Sequence, residues 1–159
     1  MPYSNGVKSM STIPAQILVV DDDYANQRLM RALLEQLGHR VDTASDGEEA
    51  LRHLAETDYQ LVFMDLDMPG MDGLEATRAW RAREQLAIPP RRVPIIAFSG
   101  YVHAVQTVRC QEAGMDDELI KPSPLSLLAA KLAYWLDATP HAADEKTVTA
   151  TTQENLQNG

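Results

Sequence analysis

The chain has 159 residues, 45% of them hydrophobic, enough for one domain with a substantial core and in line with ordinary soluble globular composition. A net charge of −9, from 14 basic and 23 acidic residues, argues against direct nucleic-acid binding, which depends on lysine and arginine neutralising phosphates. No apolar run approaches the ~18 residues of a membrane span, no signal-peptide layout opens the chain, and a single cysteine, Cys110, excludes an internal disulfide and fits a cytoplasmic protein without a membrane partner.

Residues 1–14 mix Ser, Asn, Gly, Pro and Lys without a period and are expected to form a flexible N-terminal arm; Met10 offers a second possible start. Ile17 to Val20 form a first apolar strand that ends on Asp21-Asp22-Asp23. Tyr24 to Leu37 place Leu29, Met30, Leu33, Leu34 and Leu37 at helical spacing, and Gly38 stops that helix. A short strand, Val41 to Ala44, leads into Ser45-Asp46-Gly47-Glu48-Glu49, a cap with first-turn acids that opens a helix through Ala50, Leu51 and Leu54.

Leu61 to Met64 run into Asp65 and then into a loop with Pro69, Gly70 and Gly73; the pattern favours a buried strand, although period alone leaves a helix open. Gly73 opens a helix through Leu74, Ala76, Thr77 and Trp80, and Arg83 to Val93, with Pro89-Pro90, is expected to be a connection. Pro94 to Phe98 form a strand ending on Ser99-Gly100, and Val102 to Ala113 a helix closed by Gly114. Cys110 in that helix is expected to be a half-buried structural thiol. Glu118 to Ile120 give a last short strand before Lys121-Pro122. Ser123 is then expected to cap a helix started by Pro124, with Leu125, Leu128, Leu132, Trp135 and Leu136 along one stripe. Residues 138–159 are polar and expected to be a disordered tail. Arg78, Arg81, Arg83, Arg91 and Arg92 read as solvated surface, and His39, His53, His103 and His141 sit in surface-like contexts.

Five strand–helix repeats imply a parallel sheet with right-handed crossovers and helices on both faces. The expected class is α/β, a flavodoxin-like doubly wound (βα)5 sandwich with strand order 2-1-3-4-5. Taken singly, Asp65 is as well read as a turn residue, Asp21-Asp22 as a helix cap, Ser99 as a turn and Lys121 as surface. In a parallel sheet, however, the carboxyl ends of strands one, three, four and five share an edge. Three carboxylates, a hydroxyl and an ammonium would therefore converge there. Such clustered carboxylates need a cation, and Mg²⁺ suits a site with few carboxylates and retained waters. A carboxylate in such a site can act as a nucleophile on phosphorus, with the ammonium and hydroxyl on the phosphoryl oxygens.

The segments ILVVDDD (17–23), VFMDLDMPGMDG (62–73), PIIAFSG (94–100) and GMDDELIKP (114–122) resemble the signature segments of response-regulator receiver domains, over roughly Gln16 to Leu136. The resemblance implies a receiver domain spanning residues 15–137. In it, Asp65 takes a phosphoryl group from a phosphohistidine on a sensor histidine kinase or a histidine phosphotransfer protein. Asp22, Asp65 and the backbone carbonyl of Asp67 would bind Mg²⁺, Asp21 would act largely through water, and Ser99 and Lys121 would hold phosphate oxygens. Output would pass through the face made by the fourth helix, fifth strand and fifth helix. The last segment resembles receivers that belong to, or work with, hybrid kinases. With no room for an effector domain after Leu136, the chain is expected to be a single-domain regulator, a phosphate shuttle or an excised domain.

Departures from the family pattern fall on the switch. Glu118 stands where receivers commonly place Tyr or Phe, three residues before the lysine, and Tyr101, two after Ser99, is a candidate substitute. Gly100 stands where Ala is frequent, and Asp67 and Tyr101 occupy positions that influence phosphate lifetime in the family. One alternative is a haloacid-dehalogenase-like phosphatase, through the D-x-D of Asp65-Leu66-Asp67. There, however, the D-x-D ends the first strand, and Pro69 stands where Thr or Val is usual. The other is a receiver-shaped interaction module that is never phosphorylated; such modules usually lose an acid or the lysine, and here all are present. No G-x-S-x-G or Gly-rich phosphate loop occurs.

Overall fold

Every second residue of a parallel strand faces the opposite layer, so a strand covered on both faces is apolar throughout. That is the state of β1 (Gln16–Val20), β3 (Leu61–Asp65) and β4 (Ile95–Ser99), whose apolar residues are all buried. The computed structural model describes residues 13–101 and 103–137. Between and after these strands come α1 (Tyr24–Gln36), β2 (Arg40–Ala44), α2 (Gly47–Glu56), α3 (Gly73–Leu86), α4 (Ala104–Ala113), β5 (Asp117–Ile120) and α5 (Leu125–Asp137). The expected N-terminal arm, apart from Ile13 and Pro14, and the expected tail lie outside the described residues, as do Val102 and His141.

The five strands pair in parallel in the order β2-β1-β3-β4-β5, as expected. Leu18, Val20, Val62, Met64, Ile95 and Ala97 point to one face and pack on α2, α3 and α4 through Ala50, Leu54, Leu74, Ala76 and Cys110. Ile17, Val19, Leu61, Phe63, Ile96 and Phe98 point to the other face, against Met30 and Leu34 of α1 and Leu128 and Leu132 of α5. Each large side chain so buried contributes roughly 1.5–3 kcal/mol. Side-chain carboxylates of Asp23, Asp46 and Asp72 accept from the first-turn N–H groups of α1, α2 and α3 and fix where those helices start.

Several local expectations need correction. α3 continues to Leu86, so the connection begins later than Arg83. The Ser123 hydroxyl donates to the Ile120 carbonyl, so it closes the β5 turn rather than capping α5. Leu29 faces outward, and the third buried position of α1 is Gln27. Cys110 is fully buried rather than half-buried. His39 is buried as well, and its Nδ1 accepts from the Ala15 N–H, an arrangement that needs a neutral ring; burial accordingly lowers its pKa.

Arg81 is the largest departure. Instead of lying on the surface it is buried between α3 and the amino ends of β4 and β5. Its guanidinium donates to Glu84 at 2.6 Å, Asp116 at 2.7 Å, and the carbonyls of Val93 and Gly114. Gly114 has φ +104°, and a Cβ there would meet Arg81 Cγ at 2.8 Å, so the α4–β5 turn and the arginine are built around each other.

Candidate functional site

β1 ends at Val20, β3 and β4 end on Asp65 and Ser99, and β5 ends at Ile120, so Asp21, Asp65, Ser99 and Lys121 stand along one edge of the sheet. The register carries them there: Asp65 pairs with Phe98 and Ser99 with Ile120. Lys121 N–H donates to the Ser99 carbonyl at 2.8 Å, and Asp21 N–H to the Ala44 carbonyl at 3.0 Å. Gly73 allows the loop after β3 to fold back onto the strand end, since a Cβ at Gly73 would stand 2.1 Å from the Asp65 carbonyl oxygen.

The charges are close and largely dry. Asp21 is completely buried and Asp65 is 5% exposed. Lys121 Nζ lies 2.6 Å from Asp21 Oδ2 and 3.3 Å from Asp65 Oδ1, with its ammonium 5.0 Å from the centre of the Phe98 ring. Asp21 Oδ1 accepts from the Asp23 N–H at 2.9 Å and Asp65 Oδ1 from the Asp67 N–H at 3.3 Å. Asp22 is exposed, and carboxylate oxygens of Asp21, Asp22 and Asp65 all lie within 4.8 Å of one another. Burial pushes the Asp65 carboxyl up to about 6, opposed by the Lys121 ammonium and reinforced by the Asp21 charge.

One ammonium faces three carboxylates. At such separations each unscreened pair of like charges costs about 4 kcal/mol at an effective dielectric near 20. The edge is therefore short of positive charge. An all-oxygen donor set, part buried and part open at Asp22, fits a small hard divalent cation.

Ser99 is at the edge but turned into its own loop: its hydroxyl donates to the Tyr101 carbonyl at 3.1 Å and accepts from the Tyr101 N–H at 3.2 Å and Gln106 Nε2 at 3.4 Å. Tyr101 is 68% exposed, edge-on to His103, and outside the pocket. Glu118 points from β5 to α4 and accepts from Thr107. Around Gly100 an added Cβ meets nothing within 4 Å, so packing does not demand glycine and the lip of the site is left open.

Two residues that support the site have no counterpart in the sequence reading. Gln27 donates to the Asp21 carbonyl at 2.6 Å and to Ser45 at 3.2 Å, holding the β1 end against the β2 loop. Its place on the buried side of α1, three before Met30 and seven before Leu34, was the available signal. Phe98, read only as core, is the floor beneath the lysine.

Residues 17–133 match the family described as the response regulator receiver domain, and the chain belongs to that family. It is a receiver domain of two-component signalling, a regulator, and the phosphatase alternative has no support. Among curated relatives, it is 38% identical over 121 residues to the CAI-1 autoinducer sensor kinase/phosphatase CqsS of Vibrio cholerae, covering 76% of this chain but only 17% of that kinase. Among solved structures, the receiver domain of sensor histidine kinase PA1611 from Pseudomonas aeruginosa, with a magnesium ion coordinated in the active site cleft, is 36% identical with a TM-score of 0.71, covering 79% of this chain and 100% of that one. The receiver domain of Saccharomyces cerevisiae Ssk1, in co-crystals with the histidine phosphotransfer protein Ypd1, is 27% identical with a TM-score of 0.70, covering 77% and 88%. Among the described residues, no helix is long and apolar enough to cross a membrane.

Proposed function

We propose that Asp65 is the phosphoacceptor of this receiver, charged in the cytoplasm by a phosphohistidine on a sensor histidine kinase or histidine phosphotransfer protein. The observation that carries this reading is the Asp65 carboxylate itself: at a strand end, 3.3 Å from the partly buried Lys121 ammonium and within 4.8 Å of two further acids. A carboxylate oxygen of Asp65 attacks phosphorus, the phosphorus–nitrogen bond to the donor imidazole breaks, and its electron pair stays on the ring nitrogen. The product is an acyl phosphate on Asp65 and a free histidine on the donor.

Lys121, held in place by Asp21, contacts a phosphoryl oxygen, and the Ser99 hydroxyl supplies a second contact once it leaves Tyr101. Asp22, Asp65 and the carbonyl of Asp67, with Asp21 behind a water, would hold Mg²⁺. When bound, that ion neutralises charge on the phosphoryl oxygens and orients them. The magnesium in the active site cleft of the PA1611 receiver and the histidine phosphotransfer partner of Ssk1 support a divalent cation and a phosphohistidine donor for this chain as well. The chain assists its own transfer without being an enzyme. Its output is a shift of a two-state equilibrium on the face formed by α4, β5 and α5.

With Mg²⁺ and a small acyl-phosphate donor, intact-mass measurement is expected to show one phosphoryl adduct, lost in Asp65→Asn. An adduct that persists in that variant removes Asp65 from the role.

A further inference from the structure

Glu118 occupies a setting unlike that of its acidic neighbours. Asp116 is paired with Arg81 and Arg92, and Asp117 with Lys131 and Trp135. Glu118 instead points into the seam between β5 and α4, where Thr107 Oγ1 stands 3.1 Å from Oε2 and shares its one proton between that oxygen and the His103 carbonyl at 3.2 Å. Its other oxygen, Oε1, is buried without a hydrogen-bond partner, alone in this among side-chain atoms of the described residues. A half-open surface cleft of about 150 Å³, bordered by Thr107, Cys110, Gln111, Met115 and Glu118, lies beside it. Buried polar atoms are paired in roughly nine cases of ten, so a closed seam with an orphaned carboxylate oxygen is closed against a cost.

The helix on the far side of that seam also reaches the phosphoacceptor edge. Gln106, next to Thr107 on α4, donates to Ser99 Oγ at 3.4 Å. Consecutive residues of one helix thus hold Ser99 and Glu118. Tyr101, exposed against His103, does not enter the seam.

We propose that Glu118 is the switch residue of this receiver, a polar latch in place of an aromatic ring. Through Thr107 it docks α4 on β5, and docked α4, through Gln106, keeps Ser99 turned to its own loop. This rests on Asp65 being the phosphoacceptor. When the phosphoryl group draws the Ser99 hydroxyl, the Tyr101 and Gln106 contacts are given up and the amino-terminal part of α4 loses its hydrogen bond to the β4 end. Moving α4 away then lets water reach Oε1, so release hydrates a carboxylate where an aromatic switch would bury a ring. Glu118 acts on the site as a positioning residue.

Cys110, the only cysteine of the chain, lies under α4 at 1% exposure and reports the seam directly. The experiment follows native thiol labelling of the full chain with Mg²⁺, with and without a small acyl-phosphate donor, and reads the Asp65 adduct by intact mass in parallel. Wild type is expected to label about tenfold faster when phosphorylated. Thr107→Val is expected to label about fivefold faster at rest, with Thr107→Ser restoring the wild-type rate. Glu118→Leu, which fills the seam with an apolar group, is expected to form the adduct yet lose the phosphorylation-linked acceleration. Resting rates within twofold of wild type in Thr107→Val, or full acceleration retained in Glu118→Leu, overturn the latch. Absence of any adduct in wild type overturns the phosphoacceptor reading instead, and the resting Thr107→Val and Thr107→Ser rates still decide the latch without a donor.

Discussion

Two charge clusters stand at opposite ends of the same sheet. At the amino end, Arg81 and Arg92 meet Glu84 and Asp116, two cations for two anions, and the spare hydrogen-bonding capacity goes to backbone groups of Val93, Gly114 and Ile95. At the carboxyl end, Lys121 alone meets Asp21, Asp22 and Asp65. The first cluster is closed on itself and serves as a strut. The second is left short of positive charge and holds Asp65 in a state that burial makes unfavourable. Buried charge alone does not mark function; uncompensated buried charge does.

The strut carries the largest expected effect. Replacing Arg81 by Met keeps much of the side-chain volume but leaves Glu84 without a cation and the Val93 carbonyl without its side-chain donor, while Asp116 and the Gly114 carbonyl keep only the more exposed Arg92. Breaking a buried pair by removing one partner costs about 3–5 kcal/mol. Urea unfolding of Arg81→Met is expected to show a loss of that order; a loss below about 1 kcal/mol would mean that water already satisfies these groups.

The carboxyl edge is expected to respond in the opposite direction. The folded pKa of Asp65 is raised from 3.8 to about 6, so the folded chain holds that proton more tightly than the unfolded one. The stabilisation from this group is complete below pH 3.8 and lost as pH rises through 6. At neutral pH the ionised Asp65 is therefore a burden of up to about 3 kcal/mol. In the absence of divalent cation, Asp65→Asn is expected to stabilise the chain by about 1–3 kcal/mol at pH 7.5 and by almost nothing at pH 4. Lys121 keeps Asp21 as a partner in that variant, so its charge is not stranded. Equal gains at both pH values, or a loss at pH 7.5, would show that burial does not set the Asp65 carboxyl.

The carboxyl edge was legible in the sequence and the strut was not, and distance along the chain is not the reason. Lys121 and Asp21 are 100 residues apart, Arg81 and Asp116 only 35. Asp21, Asp65, Ser99 and Lys121 each follow an apolar strand, and parallel strands bring such positions to one edge by construction. Arg81 stands in a helix among other arginines, where residue type argues for solvent and only the packed structure shows the guanidinium turned inward. Gln27 and His39 were hidden for the same reason: a polar side chain is buried when its partners are backbone groups, and those partners leave no trace in residue type. Thr107 and Glu118 belong with them, since their contact depends on how α4 lies on β5.

The smallest expected effect tests the other member of the arginine pair next to the prolines. Arg91 reaches Asp58 at 2.9 Å, a shorter contact than Lys121 makes with Asp65, yet the two side chains are 56% and 80% exposed. In water the attraction is offset by the side-chain entropy needed to hold two mobile groups together, and salt screens the remainder. Arg91→Ala is expected to change unfolding stability by less than about 0.5 kcal/mol, with the difference vanishing in high salt. A loss comparable to that of Arg81→Met would mean that length of contact, rather than burial and lack of alternative partners, ranks the ion pairs of this molecule.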